Sequence, residues 1–196
     1  MLTIFYNKKA LNDTLVIEIN KIYNTIKTVN NCTVGYDNEQ ISFINIPHIS
    51  HKYDLVEGYL QPTEQIIQIV KAEATIDLTP FIYEYPLIVG NVIACQPIKD
   101  SHLHICDVDI GQNNILKIVC GAANVKKDIK VVVAMLGATI PNGLSIKRSK
   151  LLGYESQGML CSARELNLQD KFKGSGIIIL TDKYITGTPF TDAFNN

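Results

Sequence analysis

Five short apolar runs crowd the stretch between residues 87 and 180: LIVGNVIAC, LHICDVDI, ILKIVC, KVVVAML and GIIIL. They are too short for helices of ordinary length and rich in Val and Ile, whose stiff branched side chains suit a pleated sheet. Turn clusters such as GQNN and PNG separate them, as strand ends require. Several short strands at close spacing, with glycines where a sheet must bend, predict a small closed barrel. One interruption, SARELNL, predicts a short helix with Ser162 as its cap.

The earlier part of the chain reads differently. LTIFY, TLVIEI, CTVGY and ISFINI are β-type runs between Asn, Asp and Gly turns, and the character changes at Pro62. Proline suits the first turn of a helix, and PTEQIIQIVKAEA sets Ile66, Ile67, Ile69, Val70 and Ala74 on one broad helical face. The segment TPFIYEYP, with prolines at 80 and 86, breaks both periodicities and reads as a connection. The expected fold class is therefore α+β, with a small N-terminal α/β module over residues 1–85 and a β-barrel domain over residues 86–196.

Charge distinguishes the two parts. The whole chain carries −1, but residues 1–86 carry −4 and the remainder +3, including both arginines, Arg148 and Arg164. Such asymmetry suits a polyanionic partner for the basic part, and equally a chance partition of surface charge. Five cysteines, odd in number and never spaced as CxxC, argue for reduced buried thiols over a disulfide framework or a closed zinc knuckle. No apolar run approaches the roughly 18 to 20 residues that cross a bilayer. Lys8 and Lys9 follow the apolar start instead of preceding it, so a cytosolic, unprocessed chain without membrane contact is expected.

The densest positive charge lies in KRSKLLGYESQGMLCS, residues 147–162. Lys147, Arg148 and Lys150 follow the turn signal Pro141-Asn142-Gly143 and should project from the barrel. Three phosphate contacts would give a log–log salt slope near −2, at about −0.7 per contact. An isolated KRSK also suits a solvated surface loop. The continuation adds Gly153 and Gly158, which permit turns or close approach, the hydroxyls of Ser156 and Ser162, and the adaptable Met159. Leu160 reads as core.

The run IKRSKLLGYESQGMLCSAREL, with VGNV at 89–92, VCGAANV at 119–125 and VVVAMLGATIP at 131–141, closely resembles the tRNA-binding domain family. The resemblance covers roughly residues 87–182 with its four blocks in order. It implies a five-stranded OB-fold barrel, and the chain as a whole looks like the free-standing YtpR-type tRNA-binding proteins of bacteria. The RNA surface it implies includes Lys147, Arg148 and Lys150, then Ser156 and Met159 from a Ser-x-x-Gly-Met element, Ser162, and Asn124, whose role could instead be to hold a loop. It further implies tRNA as partner, no cofactor, and a homodimer. The chain departs from the family's His-Pro-x-Ala-Asp-Lys-Leu segment, having QPIKDSHL at 96–103, and carries Ala123 where relatives often have Pro.

Other chemistries find less in the residues. His102, His104 and Cys106 would share one face of an extended strand, a spacing that suits zinc, but no fourth ligand is evident, and Cys106, Val108 and Ile110 continue an apolar row. Cys120 or Cys161 with a histidine lacks the local signature of a thiol nucleophile. Phosphate-cradling and nucleophile-elbow motifs are missing. The expectation is a non-catalytic tRNA-binding protein, with a protein-interaction module on an OB scaffold as the alternative. The acidic N-terminal module is a candidate for protein contacts.

Overall fold

The structure is a computed structural model and describes residues 2–82 and 85–194. Two units separate in it: Met1–Glu84 with Phe194–Asn196, and Tyr85–Ala193.

In the first unit, β1 (Thr3–Asn7), β2 (Thr14–Glu18), β3 (Thr25–Val29), β4 (Cys32–Asp37), β5 (Gln40–Ile46) and β6 (Gly58–Leu60) form one sheet in the order β3-β4-β5-β2-β1-β6. Every pairing is antiparallel. Alternation drives it: Ile4, Tyr6, Leu15, Ile17, Ile44 and Ile46 are buried while their neighbours are not, and Val34 is buried beside the equally buried Gly35. Helix α1 (Glu64–Ala74) joins that core through Ile66, Ile69, Val70 and Ala74, with Ile67 packed at its margin. The helix begins two residues later than the proline suggested. Thr63 is the cap, its hydroxyl accepting from the Ile66 N–H at 3.3 Å, so Pro62 lies just outside. Strand β3 carries no readable alternation because four of its five residues are exposed. In the TPFIYEYP connection, Thr79–Phe81 form a single 3-10 turn, and Tyr83 and Glu84 lie outside the described residues.

The second unit contains β7 (Leu87–Pro97), β8 (His104–Asp109), β9 (Ile115–Cys120), β10 (Lys130–Met135), β11 (Ser149–Leu151), β12 (Tyr154–Ser156), β13 (Gly158–Leu160) and β14 (Ile179–Leu180). Five of them follow the path β13-β10-β7-β8-β9, β14 adds to β10, and β11 with β12 forms a separate hairpin. The long β7 serves two neighbours. Its first half pairs with β10 and its second with β8, and a register shift between Val92 and Ala94 bends the strand between them. Gly90 in the VGNV block is a packing glycine: a Cβ there would stand 2.6 Å from Val133 Cγ2 and 2.7 Å from Val108 Cγ1. The core beneath includes Val92, Cys106, Val108, Ile118, Val131, Val133 and Leu160.

The expected barrel is met in part. Five strands lie side by side, but no ladder joins the two ends of the path among the described residues. Instead three hydrogen bonds span from β9 to the segment just before β13. The Gln157 N–H donates to Lys117 O at 2.8 Å, the Lys117 N–H to Gln157 Oε1 at 2.9 Å, and the Val119 N–H to Ser156 Oγ at 3.1 Å.

Two local expectations change. SARELNL forms no helix, although the capping box is complete: Ser162 N–H and Oγ each donate to Glu165 Oε2 at 2.7 Å, and the Glu165 N–H returns to Ser162 Oγ at 3.3 Å. The turn fails to propagate because Asn167 adopts a left-handed conformation, φ 56°. Of GIIIL only Ile179 and Leu180 pair as a strand, while Ile177 bridges Ser162.

Candidate nucleic-acid interface

The cationic cluster stands on the β11–β12 hairpin and the two residues leading into it. Ile146 anchors its base: Ile146 is buried, and it exchanges hydrogen bonds with Gly137 and Ala138 at 2.7 and 2.8 Å. From residue 147 to residue 155 every side chain is exposed. The register pairs Ser149 with Ser156, Lys150 with Glu155 and Leu151 with Tyr154, leaving Leu152 and Gly153 as a two-residue turn. Both have positive φ, 48° and 87°, which matches the twist of the strands as hairpin turns of the primed type do.

Lys147, Arg148 and Lys150 are thus brought together on one hairpin, and Glu155 lies among them. Arg148 Nη1 is 3.2 Å from Glu155 Oε2, and Lys150 faces Glu155 across the ladder. At 59% and 62% side-chain exposure the ion pair is worth little in stability, but it lowers the positive charge a phosphate would meet. Sequence reasoning missed both Glu155 and the hairpin's exposed apolar edge. Leu151, Leu152 and Tyr154 are 43%, 62% and 43% exposed, and the alternating strand pattern that would have revealed them is only three residues long.

The other site candidates are placed away from solvent or are already engaged. Ser156 is 3% exposed, and its hydroxyl accepts from the Val119 N–H and donates to Gly158 O at 3.0 Å. It ties the hairpin to β9. Ser156→Ala should therefore cost stability, about 1–2 kcal/mol for a buried N–H left without its acceptor, measured by denaturant unfolding, with tRNA affinity changed by less than about twofold. Ser162 spends its hydroxyl in the capping box. Asn124 grips the backbone of Ile177 twice, Nδ2 donating to its carbonyl at 2.8 Å and Oδ1 accepting from its N–H at 3.0 Å. Gly176 is required beside it, since a Cβ would fall on Asn124 Oδ1 and φ is 89°. Met159 is half-buried on β13, opposite Ala134 of β10.

The divergent QPIKDSHL loop is a tight turn at the end of β7. The Ile98 N–H donates to Leu103 O at 2.8 Å, and Asp100 takes a positive φ of 57°. His102 lies in that turn, before β8 begins at His104, so the three-residue face expected of His102, His104 and Cys106 is not formed. No group of three His, Cys, Asp or Glu side chains is arranged to hold a metal among the described residues. Cys106 Sγ faces Cys95 Sγ at 3.6 Å. Burial pushes the thiols of Cys106, Cys120 and Cys161 upward, which disfavours the thiolate that nucleophilic chemistry needs.

Residues 87–189 match the family model described as "Putative tRNA binding domain". The chain belongs to the tRNA-binding domain family. Among similar proteins, an uncharacterised protein of Mycoplasma pneumoniae is 38% identical over 148 residues, covering 76% of this chain and 62% of that protein. An uncharacterised protein of Mycoplasma genitalium is also 38% identical, covering 76% and 63%. The phenylalanine–tRNA ligase beta subunit of Streptococcus pyogenes is 47% identical over 105 residues, 52% of this chain and 13% of that subunit. The chain therefore spans rather more than half the length of the mycoplasma proteins and a small part of the ligase subunit. As a tRNA-binding domain chain, it places its own most basic block on a hairpin held outside the five-strand path.

Proposed function

We propose that this chain is a non-catalytic, cytoplasmic tRNA-binding protein whose C-terminal domain, residues 86–196, is an OB-like barrel that recognises folded RNA by backbone and shape. The observation that carries this reading is the exposed β11–β12 hairpin bearing Lys147, Arg148 and Lys150 within a tRNA-binding domain. Cations on a projecting hairpin can neutralise phosphates without base readout, which gives affinity and little sequence discrimination. Tyr154 and Met159 supply surfaces for an unpaired base. Ser156, Ser162 and Asn124 support the surface from behind, through the hydrogen bonds described above.

The bridging bonds from Lys117 and Val119 to Gln157 and Ser156 support the barrel reading, because they draw the two ends of the strand path together. The acidic first module, residues 1–85, is a poor partner for RNA and a candidate for protein contacts. A homodimer would double the cationic surface.

A second reading, a protein-interaction module on the same scaffold, is favoured by the Arg148–Glu155 pair, which blunts the hairpin's charge. Competition separates the two. Labelled bulk tRNA bound to the intact chain should be displaced by unlabelled tRNA, and by duplex DNA only at about tenfold or more higher phosphate concentration. Equal displacement by any polyanion would remove the shape component, and the lack of a tRNA complex would favour the protein-interaction reading.

A further inference from the structure

A second cationic surface lies apart from the hairpin, on the segment KFKGSG and the loop that follows β14. Two open depressions meet there, of about 600 and 270 Å³, sharing Lys171, Phe172 and Ile179. The larger is bordered by Lys183 and Tyr184 and the smaller by Lys173 and Asn124. Among the residues whose side chains are described, which do not include Asp192, no carboxylate lines either depression. The nearest acidic partner of Lys173 is Asp170, at 3.9 Å with both side chains exposed, too loose to neutralise it.

Phe172 and Tyr184 give the larger depression an aromatic lining, which packs on a buried ring. Phe190 is 1% exposed, and the rings of Phe172 and Tyr184 stand 6.1 and 5.7 Å from it. Lys183 Nζ sits 5.0 Å from the centre of the Tyr184 ring. The loop beneath is fixed by Lys130, whose ammonium donates to Asp182 O at 3.2 Å and Tyr184 O at 2.8 Å. On the other side, the Asn124 grip on Ile177 fixes the exposed Gly174, Ser175 and Gly176. The surface is therefore built before any ligand arrives, which limits the ordering cost of binding.

We infer that this joined depression is a second RNA-binding site, taking an unpaired nucleotide with its base against Tyr184 and Phe172 and its phosphates against Lys173 and Lys183. An ammonium beside an aromatic face suits the alternating stacking and charge of a nucleic-acid strand, and the larger depression has the volume of a small-ligand site. The inference rests on the tRNA-binding reading and extends its footprint beyond the hairpin.

The test uses the intact chain. It has no tryptophan, so Tyr184→Trp installs a single fluorescent reporter, and Lys173→Gln with Lys183→Gln removes two exposed cations. Bulk tRNA should quench the Tyr184→Trp fluorescence at the concentration where filter binding reaches its midpoint. The double glutamine variant should bind about tenfold more weakly at about 0.1 M salt, with a log–log slope shallower by about 1.4. Unchanged affinity and slope in that variant, with no quenching, would overturn the second site while wild-type binding left the tRNA-binding reading standing. If wild type bound no tRNA, both would fall together. Quenching by poly-glutamate as strong as by tRNA would assign the depression to an acidic peptide instead.

Discussion

Replacing Lys147, Arg148 and Lys150 together by alanine is expected to weaken tRNA binding by about 10- to 100-fold near 0.1 M salt and to make the log–log salt slope shallower by about 2. All three side chains are exposed on one hairpin, so their loss removes charge without opening a core. The melting temperature should stay within a few degrees of wild type, since surface substitutions rarely move stability by more than about 0.5 kcal/mol. Glu155→Gln should act in the opposite direction. It releases Arg148 from its 3.2 Å partner and removes the carboxylate facing Lys150, and tRNA affinity should rise about threefold. A protein-interaction surface would not respond to the two changes with opposite signs on RNA binding.

The second large effect is on stability. Asn124→Ala should destabilise the C-terminal unit by about 2–4 kcal/mol, because it strands both the N–H and the carbonyl of Ile177, a residue only 6% exposed. The transition of that unit should fall by about 10 °C. Asn124→Asp can still accept from the Ile177 N–H but sets a carboxylate against the carbonyl, so it should recover little. Calorimetry on the intact chain checks this. A variant that melts normally yet binds tRNA poorly would make Asn124 an RNA contact instead of a clamp.

Sequence patterning carried the fold where burial alternates, and failed where it does not. The core-facing residues of β2, β5 and α1 could be read because one face is dry and the other wet. Strand β3 could not, since its residues are mostly exposed on both faces. SARELNL misled for a local reason: the capping box is a start signal, and nothing in it reports that Asn167 will turn left-handed five residues after Ser162.

The site was legible in part for a similar reason. Three cations within four residues mark a charged surface wherever they fall, so Lys147, Arg148 and Lys150 stood out. Whether a serine faces solvent depends on its partner across the fold. The Val119 N–H that meets Ser156 is 37 residues away in sequence, beyond any local pattern. The KFKGSG surface escaped for the same reason, since its aromatic lining packs on the distant Phe190 and its clamp is Asn124.

If exposed positive charge engages the phosphates of folded RNA, added salt must weaken the complex. Titrating the intact chain with bulk tRNA by filter binding at about 50 and 200 mM salt measures that engagement most directly. The predicted result is saturable binding that weakens by about 16-fold or more between the two, a log–log slope of −2 or steeper. Binding that does not change with salt, or no binding at either concentration, would contradict it.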